Sequence, residues 1–153
     1  MPGIELRHLF DLSLTLHPPV SLGSTPAGDR RIFPISGGAF QGDRLKGEVF
    51  PLIGSDLLLG RTDGSIQQDV RLLLVTDDDA NILVTYRGIR RASPEVSARL
   101  AAGEAVDASE YYLRTTPLFE TAHERYVWLN GILAIAKGAR KADGVTYEVY
   151  EVL

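Results

Sequence analysis

Residues 57–87 read LLLGRTDGSIQQDVRLLLVTDDDANILVTYR, and this stretch decides the fold class. Thr62-Asp63-Gly64 is a turn signal between Leu57–Arg61 and Ile66–Thr76. Asp77-Asp78-Asp79-Ala80-Asn81 is a second one before Ile82–Arg87. Gly, Asp and Asn suit tight turns through their backbone freedom and local hydrogen bonds. The Val-, Ile- and Leu-rich runs between them fit a pleated, half-buried surface. Such short connections make an antiparallel meander, since parallel strands need long crossovers. Within Ile66–Thr76, Asp69, Arg71, Leu73 and Val75 share one face, and Gln68, Val70, Leu72 and Leu74 share the other. Two acceptable faces place this strand between a polar cavity and a packed layer.

The same period of two opens the chain. Ile4, Leu6, His8, Phe10, Leu12, Leu14 and Leu16 alternate with a more polar set, which predicts a long strand stopped by Pro18-Pro19. Residues 20–28, rich in Gly, Ser and Pro, read as a loop. Glycines at 37, 38, 42, 47, 54 and 60 punctuate further strands at bulges or corners. One short helix is expected, capped by Ser93, with Pro94 and Glu95 in its first turn, Val96 and Leu100 as an apolar i, i+4 pair, and Gly103 at its end. Strands are then expected over residues 111–115, 124–129, 131–137 and 145–152. The whole chain, 1–153, thus reads as a single all-β domain of about nine or ten strands and one short helix. Closure into an antiparallel β-barrel removes the edges such a sheet would otherwise expose.

Composition narrows the function classes. Sixteen basic against twenty acidic residues give a formal charge of −4, without the basic face that a nucleic-acid backbone requires. The pairs Arg30-Arg31 and Arg90-Arg91 are short and read as solvated surface. Absence of cysteine removes disulfides, thiolate metal sites and cysteine nucleophiles. Residues 1–16 carry Glu5 and Asp11 within no continuous apolar run, so a signal peptide is not expected. No stretch approaches the apolar length of a membrane helix. The expected address is cytoplasmic, with neither nucleic acid nor membrane as partner, and a homodimer is the base expectation for a soluble oligomer.

Several motifs occur together in order. They are Ile35-Ser36-Gly37-Gly38 followed by Gly42 and Gly47, then Gly54-Ser55-Asp56, Asp69-Val70-Arg71 and Thr76-Asp77-Asp78. Arg114-Thr115-Thr116-Pro117, Phe119-Glu120 and Tyr126-Val127-Trp128-Leu129-Asn130 follow. In this arrangement the chain resembles the bacterial UPF0311 (DUF3237) family over nearly its whole length. The resemblance implies a compact barrel of lipocalin-like appearance with a central cavity, in a family whose members are mostly of uncharacterised function.

The polar cluster chosen as a candidate site is Asp56, Asp69, Arg71 and Arg114. Asp69 and Arg71 share a strand face. If that face points inward, burial requires each charge to be paired or hydrogen-bonded. With Asp56 and Arg114 they would bind a carboxylate or enolate, or set an acid beside a base; the alternative is an ion-pair network fixing barrel register. Tyr112 shares a face with Arg114, and Tyr126, Trp128 and Asn130 share another, so these are candidate ligand-binding walls. The catalytic candidates are Asp69, Asp56 and Glu120, the last placed near a rim beyond Pro117. His8 falls on the apolar face of the first strand as a core histidine. With His17 and His123 it shows no ligand-like spacing, so neither metal nor cofactor is expected. Asp77-Asp78-Asp79 lacks the ligand spacing of an EF-hand, residues 37–42 lack the phosphate-loop context, and no G-x-S-x-G elbow exists.

Two function classes follow from a barrel with such groups. One is a cofactor-independent isomerase, cyclase or dehydratase acting on a small organic molecule. The other is a non-catalytic carrier for a small hydrophobic ligand, or a structural homo-oligomer with a filled barrel. An open cavity holding a perturbed aspartate separates the first from the others.

Overall fold

Eight antiparallel strands close on one another in the computed structural model, which describes residues 3–153. The strands are β1 (Leu6–Leu16), β2 (Val20–Thr25), β3 (Gly28–Gln41), β4 (Lys46–Gly60), β5 (Ile66–Thr76), β6 (Asn81–Arg91), β7 (Tyr112–Thr115), β8 (Leu118–Glu120), β9 (Ala134–Lys141) and β10 (Gly144–Val152). The ring runs β1-β10-β9-β7-β6-β5-β4-β3, and a β1–β3 ladder closes it. The two strands outside the ring are β2, paired with β3, and β8, paired with β6. The segment read as a loop over 20–28 is therefore mostly strand: β2 and the start of β3 form a hairpin arm.

The meander is as the sequence predicts. β5 and β6 pair without interruption from Ile66↔Arg90 to Val75↔Asn81. Alternation sends Val70, Leu72 and Leu74 of β5, and Ile82, Val84 and Tyr86 of β6, into the barrel. Where the sequence alternation misleads, a bulge is the cause. Between His8 and Phe10 the β1–β10 register slips, so Leu9 and Phe10 are both buried while Ile4, Leu6 and His8 lie outside. His8 is accordingly no core residue; its Nε2 pairs with Asp11 Oδ1 at 2.8 Å in the open.

A second bulge matters more. Between Val49 and Gly54, five residues of β4 advance the ladder by only two on β5, from Leu74 to Leu72. That odd excess reverses the inward parity: Val49 faces in before it, Asp56 and Leu58 after it. Gly54 allows the excursion with φ +118°, where a Cβ would stand 2.5 Å from the Arg71 carbonyl oxygen.

One end of the barrel is filled. Phe10 packs edge-on against Phe40 at 5.5 Å and Phe119 at 6.0 Å, amid Leu72, Leu74 and Ile82. The strands expected over 124–129 and 131–137 are corrected here: Val127–Gly131 is a 3-10 helix and β9 begins at Ala134. Its tight i→i+3 bonds, such as Leu129 N–H to the Tyr126 carbonyl at 2.9 Å, turn Leu129 in as a plug. The helix α1 (Pro94–Ala101) forms as expected, with Ser93 Oγ accepting from Val96 N–H at 3.2 Å. No helix among the described residues is long and apolar enough to cross a membrane.

Candidate active site at the open end

At the other end, all eight ring strands contribute walls to a cavity of about 310 Å³. Leu16 of β1, Phe33 of β3, Leu58 of β4, Leu113 of β7 and Val145 of β10 supply an apolar lining. This volume lies at the small end of the range for organic-ligand sites. Three groups of polar side chains face it.

The first is Asp56, turned inward by the β4 bulge. Its Oδ1 accepts from the backbone N–H of Asp69 at 3.1 Å, and among the described residues it makes no salt bridge. Burial pushes its carboxyl from the ordinary 3.8 up to about 7. The Asp69 N–H pulls the value down, the Asp69 charge raises it, and the Arg90 charge lowers it, without cancelling the burial.

The second is a set of guanidiniums. Arg31 of β3, Arg90 of β6 and Arg140 of β9 line the same cavity. Burial, and then repulsion from Arg140 and Arg31, lowers Arg90 from 12.5 to about 10. The third is neutral. Tyr147 lines the cavity and meets Tyr86 edge-on at 5.4 Å. Burial pushes both phenols above their usual range, so they remain protonated hydrogen-bond donors near neutral pH. Gln68 lies opposite Gly88, and among the described residues its buried Oε1 has no hydrogen-bond partner. A Cβ on Gly88 would come within 3.0 Å of that oxygen and 2.5 Å of Thr115 Cγ2, so only glycine leaves room for the amide.

This arrangement can hold an oxygen anion on the guanidiniums and exchange a proton through Asp56 inside an apolar pocket. Among the described residues, no three His, Asp or Glu side chains converge in the manner of a metal site.

The sequence pattern of a family described as a protein of unknown function, DUF3237, runs through residues 4–152. The chain belongs to the DUF3237 family. A UPF0311 protein of Rhodopseudomonas palustris (strain TIE-1) is 37% identical over 152 residues, 99% of each chain. The crystal structure of a conserved protein of unknown function from Rhodopseudomonas palustris superposes with a TM-score of 0.93 at 35% identity, covering 100% of this chain and 99% of that one. The hydroalkoxylation enzyme phnH of Penicillium herquei is 32% identical over 131 residues, 85% of this chain and 71% of its own. The family's β-barrel, expected from the resemblance, is the fold observed.

Of the candidate residues named from sequence, only Asp56 reaches the cavity. Asp69 and Arg71 lie on the outer face of β5, where Arg87 Nε approaches Asp69 Oδ1 at 3.9 Å and Arg71 is exposed. Arg114 and Tyr112 of β7 face an outer groove, the Tyr112 ring lying 4.8 Å from the Arg114 guanidinium and 4.7 Å from that of Arg91. The remaining candidates cluster at the filled end. Tyr126 donates to Asp78 Oδ1 at 2.7 Å, and Trp128 stacks on the Arg44 guanidinium at 4.3 Å. Asn130 exchanges two 2.8 Å hydrogen bonds with the Thr121 backbone, and Glu120 is exposed on β8.

Sequence reading passed over Arg31, Arg90, Arg140, Gln68, Tyr86 and Tyr147. The pairs Arg30-Arg31 and Arg90-Arg91 read as solvated surface, yet alternation turns Arg31 and Arg90 toward the cavity and the other member of each pair away. A usable signal existed in β5: three of the four residues on the Gln68 face are aliphatic, while the Asp69 face carries two charges.

Proposed function

We propose that the open end of the barrel is the active site of an acid–base enzyme acting on a small, partly apolar organic molecule, with Asp56 as the proton-moving group. The observation that carries this reading is a buried, unpaired carboxyl that titrates at about 7 inside a cavity lined by every ring strand. A pKa near the working pH maximises exchange in both directions.

The hydroalkoxylation enzyme among its relatives suggests the reaction class. Hydroalkoxylation adds an O–H bond across a carbon–carbon double bond. As the C–O bond forms, the hydroxyl proton leaves to a base and the π electrons take a proton at the other carbon. One carboxyl of matched pKa accepts the first proton and returns it, so the addition balances without an oxidant or reductant. Tyr147 donates to the developing negative charge, and the apolar walls hold the hydrocarbon part.

The test is turnover of a panel of unsaturated alcohols in deuterium oxide. The expected product is a cyclic ether carrying one new deuterium on carbon, formed about 100-fold more slowly by Asp56→Asn. Turnover by Asp56→Asn at the wild-type rate would remove Asp56 from the chemistry.

A further inference from the structure

Among the described residues, six of the chain's thirteen arginines meet a carboxylate within 4.0 Å, and seven, Arg30, Arg71, Arg91 and Arg114 included, do not. Arg7, Arg44, Arg99 and Arg125 each meet a carboxylate at 3.3 Å or less. Arg31, Arg90 and Arg140, which share the open-end cavity, meet none within 4.0 Å among the described residues. Arg31 only leans over the Phe33 ring at 5.9 Å, and Arg140 is anchored through its backbone N–H, which donates to Tyr111 Oη at 2.8 Å.

Arg90 is half-buried while Arg31 and Arg140 are exposed, and like charges gathered this closely repel one another unless something neutralises them. Around this cavity Arg31, Arg90, Arg140 and Lys141 face only Asp56 and Asp143. Four cations against two carboxyls leave a surplus of two positive charges, or three when Asp56 is protonated. The guanidiniums come from β3, β6 and β9, so they surround the opening instead of lying along one edge. Guanidinium forks match the planar, two-oxygen geometry of a carboxylate.

We infer that the substrate is a small organic carboxylate whose anionic head is held by Arg31, Arg90 and Arg140 at the mouth while its apolar body enters the barrel. This deepens the proposed function and rests on the same cavity, but it concerns recognition instead of proton transfer. With the head at the mouth, the hydrocarbon part lies against Leu58, Leu113 and Val145, with Asp56 alongside it. The clamp also defines what the site rejects: an amide of the same shape lacks the charge that neutralises the cluster.

Calorimetric titration with benzoate, phenylacetate, cinnamate and hexanoate, each paired with its primary amide, tests this on the full chain. The expected result is that at least one acid binds about tenfold or more tightly than its amide, with affinity falling as salt rises. Arg90→Met loses about tenfold in that affinity and Arg90→Lys recovers part of it. Thermal melting of each variant shows that it is folded. Asp56→Asn separates the two ideas, because it keeps or improves carboxylate binding while losing turnover. Equal binding of acids and amides, no binding by any acid at about 10 mM, or unchanged affinity in folded Arg90→Met would overturn the inference while leaving proton transfer by Asp56 standing.

Discussion

The two ends of this barrel handle charge in opposite ways. At the filled end, Glu151 accepts from Arg7 Nη2 at 2.8 Å and Arg44 Nη2 at 2.6 Å, and Arg44 stacks on Trp128. Asp78 there accepts from Thr76 at 2.6 Å, Tyr126 at 2.7 Å and Arg125 at 2.6 Å. At the open end, among the described residues, Asp56 has one backbone N–H, Arg31, Arg90 and Arg140 meet no carboxylate within 4.0 Å, and Gln68 Oε1 has no partner. One end is built for stability. The other holds uncompensated groups in place because the rest of the barrel is stable enough to carry them.

Substitutions should therefore change stability in opposite directions at the two ends. The largest effect is expected from Phe10→Ala, which removes a ring 1% exposed between Phe40 and Phe119 and costs about 3–5 kcal/mol in denaturant unfolding. Asp56→Asn should act the other way. Its folded pKa of about 7 exceeds the ordinary 3.8, so the folded state binds the proton more tightly than the unfolded chain. Stability is then lost as pH rises from about 4 to about 7 and levels off above that. At pH 8 the asparagine variant, freed of a buried carboxylate, should be more stable by about 2–4 kcal/mol, with the difference vanishing near pH 4.

Glu151→Ala should cost about 1–2 kcal/mol at pH 7, because its arginine partners remain open to water once released. The hydrogen bonds from Arg7 and then Arg44 hold the Glu151 carboxyl below its usual 4.5. Its contribution is therefore present above about 4.5 and lost as pH falls through the lowered value, the reverse of Asp56. The smallest effect is expected from Arg140→Gln, which removes one unpaired, exposed cation and should leave the melting free energy within about 0.5 kcal/mol. A large loss at Arg140 would mean that the open-end cluster is structural, and would erase the contrast between the ends.

The sequence carried the barrel more legibly than the site. Turn chemistry at Asp63-Gly64 and Asp77–Asn81 and the alternation in β5 and β6 are local, so the meander could be read directly. Inward parity could not be carried along the chain, because bulges after His8 and after Val49 each reset it. Asp56 was identified from its motif, but its companions on β3, β6 and β9 lie far away in sequence and meet only through closure of the ring. Asp69 and Arg71 looked like a site because they share a face. Charge on one face of a half-buried strand more simply marks the side toward water. Trp128 and Tyr126 looked like cavity walls because aromatic residues with polar atoms suit either role, and here they seal the filled end.

The central claim is that Asp56 is a buried, proton-exchanging carboxyl at the open end. A pH titration of aspartate carboxyl carbons by carbon-13 NMR, with Asp56→Asn identifying the resonance, tests it directly. A midpoint near pH 7 for Asp56 is the result predicted by this account. A midpoint near pH 4 would place the carboxyl in water or in an ion pair, and would contradict it.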